Sequence, residues 1–265
     1  MLSGLAPQPG ARRAETPSVH AVGWPERISE ATRIGPRAQV ALAGLGVAFA
    51  ALTGLVAAGR LTSIDQYAVD HLMPALKPGQ PPSHSSRGFY LPFSSHTNWW
   101  SKLLDIWTYP CSVLISALVV IAALVVLRRR GRPAAAFVWI GAWVVANGIE
   151  VVVKHLVSRP ALYGTAHGAR LHVAAFDHAF PSGHMVRGAI VAGAAVFVWR
   201  RAARAILIWA LLVPFALVFS AAHTPSDVVG GGLLGLMLVL LAQAVAHGVR
   251  DGAGSPSPDL ERRPP

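Results

Sequence analysis

Long apolar stretches, mostly without charge, dominate the sequence. Residues 38–58 read AQVALAGLGVAFAALTGLVAA, and about 20 apolar residues are what an α-helix needs to cross the hydrocarbon core of a bilayer. Five further stretches have this character, at 106–127, 134–153, 183–199, 205–222 and 228–246. Because lipid forces the backbone to satisfy its hydrogen bonds internally, such stretches favour helices. The sequence predicts an all-α polytopic membrane protein with six transmembrane helices in a bundle.

The two ends of the chain differ from this central region. Residues 1–37 are rich in Pro, Gly and Arg, lack apolar periodicity, and contain no hydrophobic region followed by a small-residue cleavage site. We therefore predict a disordered cytoplasmic tail at 1–37, a six-helix membrane domain at 38–246, and a second disordered cytoplasmic tail at 247–265.

The chain is strongly basic, with 23 Lys and Arg against 12 Asp and Glu and a formal net charge of +11. Nucleic-acid binding would require basic residues clustered with aromatics on one exposed domain. Here most basic residues lie in short segments before span one, between spans two and three, between spans four and five, and after span six: Arg12, Arg13, Arg27, Arg33, Arg37, Arg128, Arg129, Arg130, Arg132, Arg200, Arg201, Arg204, Arg250, Arg262 and Arg263. No nucleic-acid partner is expected.

These basic segments alternate with the spans and therefore share one side of the membrane. The positive-inside rule places them, and both termini, in the cytoplasm. The extracytoplasmic face then holds 60–105, 154–182 and 223–227, of which the first is long enough to fold on the surface. We predict an integral protein of a plasma membrane of the bacterial type.

Three charged groups fall at the extracytoplasmic end of span three, in the segment EVVVKHLVSRP. Glu150 and Lys154 are four residues apart and share a helix face, and Arg159 follows beside Pro160. A structural ion pair with snorkelling basic side chains would explain them. However, the basic residues lie on the side of the membrane where positive charge is disfavoured. An anionic ligand would explain that position.

The second segment is PSGH at 181–184, followed by Arg187. Ser182 is a suitable N-cap for span four, and Gly183 lets other groups approach the backbone closely. The helix start offers N–H groups and a positive dipole end to an anion. His184 and Arg187 are three residues apart, so both can point at the same ligand. The alternative is that Ser182 only caps the helix while His184 lies at the interface.

The third segment is HTPSD at 223–227, which leads into span six. Thr224 as N-cap, Pro225 in the first helical position and Asp227 at the third match a capping arrangement, so a structural role for Asp227 competes with a catalytic one. A carboxylate within reach of His223 would fix its tautomer and stabilise its cationic form. Two histidines with Lys and Arg beside a helix start are the parts needed for phosphoryl transfer, in which one histidine attacks and the other protonates the leaving oxygen.

The order K…R-P, P-S-G-H and H-x-x-x-D in a six-span protein resembles the type-2 phosphatidic acid phosphatase family of membrane lipid phosphatases, which shares a superfamily with the vanadium haloperoxidases. The resemblance covers residues 110–245. It implies that His223 is a nucleophile forming a phosphohistidine, that Asp227 orients it, and that His184 is the general acid. It also implies phosphate contacts from Lys154, Ser182 and Gly183, and a mechanism that requires no metal or cofactor.

The sequence departs from the family pattern at two places. The family spacing K-x6-R-P would put an arginine at Ala161, whereas Arg159 comes two positions early. The pattern S-R-x5-H-x3-D would put Ser and Arg at Ala216 and Leu217. Since bidentate arginine contacts to phosphate are stronger than a point charge, we expect Arg159 and Arg187 to replace the missing guanidinium groups.

A metal centre is a weaker interpretation of the extracytoplasmic histidines. His155, His167, His172 and His178 match neither H-E-x-x-H nor H-x3-H, and Cys111 is the single cysteine, which also excludes an internal disulfide framework. We expect solvated loop histidines, with neither metal nor cofactor.

The sequence thus predicts a phosphatase of lipid phosphates or polyprenyl diphosphates that acts at the outer bilayer surface. The alternatives are a non-catalytic membrane protein that binds or transports phospholipids at a degenerate site, and a vanadate-dependent oxidation activity, which the membrane setting disfavours. Which lipid carries the phosphate, and the oligomeric state, stay open at this point.

Overall fold

The computed structural model of the protein describes residues 35–73, 99–166 and 169–252. The predicted tail at 1–37 lies outside these residues except at 35–37, and the predicted tail at 247–265 is described only at 247–252. Eight α-helices occupy most of the described chain: α1 Pro36–Ala57, α2 Thr62–His71, α3 Trp99–Thr108, α4 Val113–Arg129, α5 Pro133–Leu156, α6 Gly183–Val198, α7 Ala203–Phe219 and α8 Pro225–Gly252. The last helix therefore continues past Ala246, the predicted end of the membrane domain.

A short antiparallel hairpin lies between α5 and α6. Its strands are β1, Tyr163–Ala166, and β2, Ala169–His172, with Tyr163 opposite His172. Short 3₁₀ turns cover Tyr109–Cys111, Ala174–Phe176 and Arg200–Ala202. These turns separate α3 from α4, the hairpin from α6, and α6 from α7.

Five of the predicted spans each overlap one helix, whereas the second, 106–127, covers the end of α3, the turn at Tyr109–Cys111 and most of α4. Not all of these helices have the length of a full crossing. Among the described residues, four helical segments are long and apolar enough to cross a bilayer: α1, α5, Arg200–Phe219 and α8. Helices α3 and α4, bent by 52° at their junction, make a fifth candidate if counted together. Helix α6 has 16 residues, fewer than the usual minimum of about 17. The protein is therefore membrane-embedded and nearly all helical, and the count of six spans stays a prediction.

Helix α6 is the most enclosed helix of the bundle and contacts α4, α5, α7 and α8. Val186 and Ile190 on α6 pack in one apolar cluster with Trp139 of α5 and Leu234 of α8. Much of the rest of α6 is Gly and Ala, and small residues let helices approach closely in a membrane, where dispersion contacts and packing hold them together. This packing fixes where α6 begins.

The arginine-rich connections lie together at one end of the bundle. Nη1 of Arg130, after α4, donates a hydrogen bond of 2.7 Å to the carbonyl of Val198 at the end of α6. The guanidinium of Arg132 lies 4.7 Å from the ring centroid of Phe197. The starts of α6 and α8 are consequently at the opposite end, which we call the site end.

Helix α2 and the hairpin cover the site end. Gly59, at φ 68°, turns the chain from α1 into α2, and a Cβ there would come within 2.7 Å of Cγ of Pro160. The side chain of Gln66 on α2 exchanges two hydrogen bonds with the backbone of Tyr163, of 2.7 and 2.9 Å. Glycine thus allows α2 to lie directly over the Arg159–Pro160 segment.

Candidate active site

The carboxylate of Glu150 on α5 is shared by two cations. It accepts 2.8 Å from Nζ of Lys154 one turn further along, and 2.7 Å from Nη1 of Arg187 on α6. Arg187 also donates to the carbonyl of Cys111 (2.8 Å) and to the side chain of Asn147 (3.1 Å). Glu150 and Arg187 are buried, whereas the Lys154 side chain is 27% exposed. Lys154 is thus the cation of this group that is most accessible from the site end.

The PSGH segment forms the start of α6 as the sequence predicts. Oγ of buried Ser182 accepts a hydrogen bond of 3.3 Å from the backbone N–H of Met185, which makes Ser182 the N-cap. The backbone N–H of Ser182 donates 2.9 Å to the carbonyl of Asp227. The second motif segment is therefore hydrogen-bonded directly to the third.

Residue 183 must be glycine because Glu150 of α5 lies directly against it. A Cβ added at this position would overlap the carboxylate of Glu150. The absence of a side chain lets an anionic group lie against the first turn of α6, where helix dipole and N–H groups favour negative charge.

The third segment places His223 immediately before α8. Oδ2 of Asp227 accepts a hydrogen bond of 3.0 Å from the backbone N–H of Thr224, so the predicted capping role of Asp227 is present. The same oxygen lies 3.8 Å from Nδ1 of His223, and this buried Nδ1 has no hydrogen-bond partner among the described residues. Asp227 therefore stands behind His223 at ion-pair range, while the 3.8 Å separation is longer than a hydrogen bond.

The two histidines of the second and third segments face each other. The ring centroids of His184 and His223 are 5.7 Å apart, with the planes at 57°. Since Nδ1 of His223 is the nitrogen nearest Asp227, Nε2 lies on the opposite edge of the ring. The segments that are distant in sequence thus bring a histidine pair together beside the start of α6.

Arg159 is buried between two carboxylates. Nη1 donates 2.9 Å to Oδ1 of Asp227 and 3.0 Å to the hydroxyl of Thr224, while Nη2 pairs with Asp65. The predicted phosphate ligands Arg159 and Arg187 therefore both reach the site end, and each is already paired with at least one carboxylate.

Asp65 is a site residue that sequence reasoning missed. It lies on α2 and is 1% exposed. One signal was available, because Asp65 precedes Ala68 and Val69 by three and four positions and so shares their buried helix face. A carboxylate on an otherwise apolar helix face is a sign of a specific polar partner.

Apolar residues stand at the positions where the family pattern has Ser and Arg. Leu217 is buried with Val213, Val228 and Cys111 in one cluster, and Ala216 is buried beside it. Ala161 lies in the connection after α5, two residues beyond Arg159. At the third motif, therefore, apolar side chains fill the place of the expected Ser-Arg pair.

Two other histidines of this face, His155 and His172, have contacts of their own, while His167 lies outside the described residues. Nδ1 of His155 lies 2.7 Å from the carbonyl of Val151, and Nε2 of His172 lies 2.8 Å from Asp177 on the surface. In the part of the chain that the structure describes, no three His, Cys, Asp or Glu side chains are grouped as metal ligands.

Comparison with known proteins finds one family model and one solved structure that resemble this chain. The family profile described as the PAP2 superfamily matches residues 134–250, the region that contains all three motif segments. This region is similar to the PAP2 superfamily. The fold is similar to the crystal structure of the first transmembrane PAP2-type phosphatidylglycerolphosphate phosphatase from Bacillus subtilis, with a TM-score of 0.53, 17% identity, and coverage of 76% of this chain and 94% of that one. No curated protein sequence matches the chain significantly.

The positions at which the motifs depart from the family pattern lie within the matched region. The region that matches the PAP2 model contains the PSGH and H-x-x-x-D segments, with apolar residues at 161, 216 and 217. Arg159 contacts Asp227, the carboxylate behind His223, and Arg187 contacts Glu150.

Proposed function

We propose that this PAP2 protein is a phosphatase of membrane lipid phosphates, or of polyprenyl diphosphates, that acts through a phosphohistidine on His223. The observation that carries the proposal is the histidine pair: His223 and His184 with ring centroids 5.7 Å apart, at the start of α6, with the Asp227 carboxylate behind His223. Nucleophilic and acid–base roles divided between two imidazoles are a recurrent solution for group transfer.

In the proposed reaction, Nε2 of His223 attacks the terminal phosphorus while the bond from that phosphorus to the leaving oxygen breaks. The leaving oxygen is the lipid oxygen of a monophosphate or the bridging oxygen of a diphosphate. His184 gives its proton to that leaving oxygen. Water then attacks the phosphohistidine, His184 takes the proton of the water, and inorganic phosphate leaves with His223 restored. The positive charge that develops on the His223 ring is stabilised by Asp227. Both steps use residues of this chain alone, and we propose a metal-independent hydrolase.

The phosphate is proposed to lie at the start of α6, in contact with Ser182, Gly183 and the ammonium of Lys154. The start of a helix and a nearby lysine suit an anion. Arg187 uses Nε and Nη1 in its hydrogen bonds within the described structure, and Arg159 uses Nη1 and Nη2. We propose that their remaining N–H groups supply the contacts of the two missing family arginines.

The site is proposed to face away from the cytoplasm at the outer bilayer surface. The arginine-rich connections lie at the end of the bundle opposite to the histidine pair, and positive charge is retained on the cytoplasmic side. This orientation puts both termini in the cytoplasm and places the site at the depth of a lipid head group.

A second candidate is a non-catalytic protein that binds or transports phospholipids. It is favoured by one observation: Arg159 and Arg187 are both paired with buried carboxylates, so less positive charge is left for a phosphate than two unpaired arginines would provide.

The two candidates are separated by phosphate release from a panel of lipid phosphates and diphosphates by the purified protein in detergent. The enzyme proposal expects release from at least one lipid by the wild type and loss of that release in His223→Ala. His172→Ala is a matched control, because His172 also lies beside a carboxylate but on the surface. Lipid binding without release by the wild type would favour the second candidate.

A further inference from the structure

Asp65 is a buried carboxylate outside the three motif segments. It accepts hydrogen bonds of 3.0 Å from the backbone N–H of Ser226 and 2.6 Å from the Ser226 hydroxyl, and it pairs with Nη2 of Arg159. An ionised carboxylate is tolerated in a buried position only when charged and hydrogen-bonding partners compensate its lost hydration. All of these partners belong to the segments that build the site.

Arg159 connects Asp65 to the carboxylate behind His223. Its Nη1 donates 2.9 Å to Oδ1 of Asp227, and the other oxygen of Asp227 lies 3.8 Å from Nδ1 of His223. Two carboxylates and one guanidinium thus stand in a row behind the imidazole and carry a net negative charge. Without Asp65, the positive charge of Arg159 would cancel the negative charge of Asp227, and no net negative charge would lie behind His223.

We propose that Asp65 is a positioning residue for His223. By sharing Arg159, Asp65 leaves the row with a net negative charge, which keeps Nδ1 of His223 turned toward Asp227 and favours a positive charge on the ring. The catalytic part of this inference rests on the proposed function, since the positive ring is the one formed when Nε2 bonds to phosphorus.

Several other charged or titratable groups lie on the elements around His223. His184 faces it from α6. Lys154 and Glu150 lie at the end of α5, and Arg187 lies one turn into α6, where these three form one ion-paired group. A substitution of Asp65 leaves that group unchanged because Asp65 contacts Arg159 and Ser226 instead.

The direct test is the protonation of His223 in full-length protein in detergent, followed by ¹⁵N NMR of labelled histidines and assigned by the signal lost in His223→Ala. In Asp65→Asn, loss of one negative charge makes the positive ring less favourable. The midpoint of protonation is therefore expected about one pH unit lower, the order expected of a unit charge acting across several ångströms at an effective dielectric constant of about 20. An unchanged midpoint in folded Asp65→Asn would overturn the proposal.

Asp70→Asn is the matched control. Asp70 is also on α2 and also pairs with an arginine, Arg170, at 3.1 Å, but this pair is partly exposed on the surface. Its removal is expected to leave the His223 midpoint at the wild-type value. A shift of equal size in both variants would contradict a specific role of Asp65.

A second variant addresses the case in which Asp65→Asn does not fold. Asp65→Asn with Arg159→Gln removes a buried positive and a buried negative charge together, which avoids an unpaired buried arginine. Asp227 alone then retains the net negative charge, and the midpoint is expected near the wild-type value. A midpoint about one pH unit lower in this double variant would contradict the charge argument.

Kinetics separate the failure of this inference from failure of the proposed function. Asp65→Asn is expected to lower kcat by about tenfold, the size of loss seen when a carboxylate that orients a metal-binding histidine is removed in metalloenzymes. KM is expected to stay unchanged, and the acidic limb of the rate profile is expected to move to lower pH. If the wild type hydrolyses no lipid but the His223 midpoint still shifts in Asp65→Asn, the enzyme proposal is refuted and the role of Asp65 is retained. If the wild type is active but the midpoint does not shift, the role of Asp65 is refuted and the enzyme proposal is retained.

Discussion

The carboxylate of Glu150 occupies the space that a Cβ of Gly183 would fill. This contact joins the first and second motif segments and places the acceptor of Lys154 and Arg187 beside the start of α6. The glycine of PSGH is therefore needed here for a specific close approach, rather than for a backbone conformation.

The first prediction concerns this contact. Gly183→Ala forces Glu150 away from α6 and disturbs both of its ion pairs, so we expect a loss of about 1–3 kcal/mol in stability together with most of the phosphatase activity. Thermal unfolding and phosphate release in detergent measure the two effects. Gly148→Ala on α5 is the control, since nothing lies within 4 Å of a Cβ there. Wild-type stability and rate in Gly183→Ala would show that the contact is unimportant.

The second prediction separates the structural role of Arg187 from phosphate binding. Arg187→Met leaves Glu150 partly unpaired in a buried position, and breaking a buried pair costs about 3–5 kcal/mol. The double variant Glu150→Gln/Arg187→Met removes both charges and is expected to recover most of that stability. If Arg187 also contacts phosphate, the double variant has a raised KM for lipid phosphate. A wild-type KM in the stable double variant would exclude Arg187 as a phosphate ligand.

The sequence was sufficient to locate the long apolar helices and the two histidines that lie together, but not helix α2 or the break between α3 and α4. Hydropathy marks the spans, and the capping residues Ser182 and Thr224 mark where α6 and α8 begin, because these signals are local. The short length of α6 is also visible in the sequence, but its enclosed position depends on packing by four other helices.

The ion-pair network could not be predicted in the same way. Asp65 and Ser226 are 161 positions apart, and Asp65 and Arg159 are 94 apart, so their meeting depends on the turn at Gly59 and on the placement of α2. The partner of Arg187 likewise comes from another helix. Sequence spacing identifies residues that can share a helix face, but not which charges from different helices will pair.

The third prediction is a bell-shaped dependence of activity on pH. His223 must be neutral to attack, so activity falls as pH decreases and its ring is protonated. His184 must be protonated to supply the leaving group with a proton, so activity also falls as pH rises. The measurement is kcat/KM for one lipid phosphate across the pH range. A profile that is flat from about pH 5 to pH 9 would exclude this division of roles.

The most direct test of the account is to trap the covalent intermediate. Protein in detergent is mixed with a ³²P-labelled lipid phosphate, quenched rapidly in alkali, and the labelled residue is identified by mass spectrometry of the digested protein. We predict an alkali-stable, acid-labile phosphohistidine at His223, absent in His223→Ala. Hydrolysis of the lipid phosphate by His223→Ala at the wild-type rate, or turnover by the wild type with label on a different residue, would contradict the account.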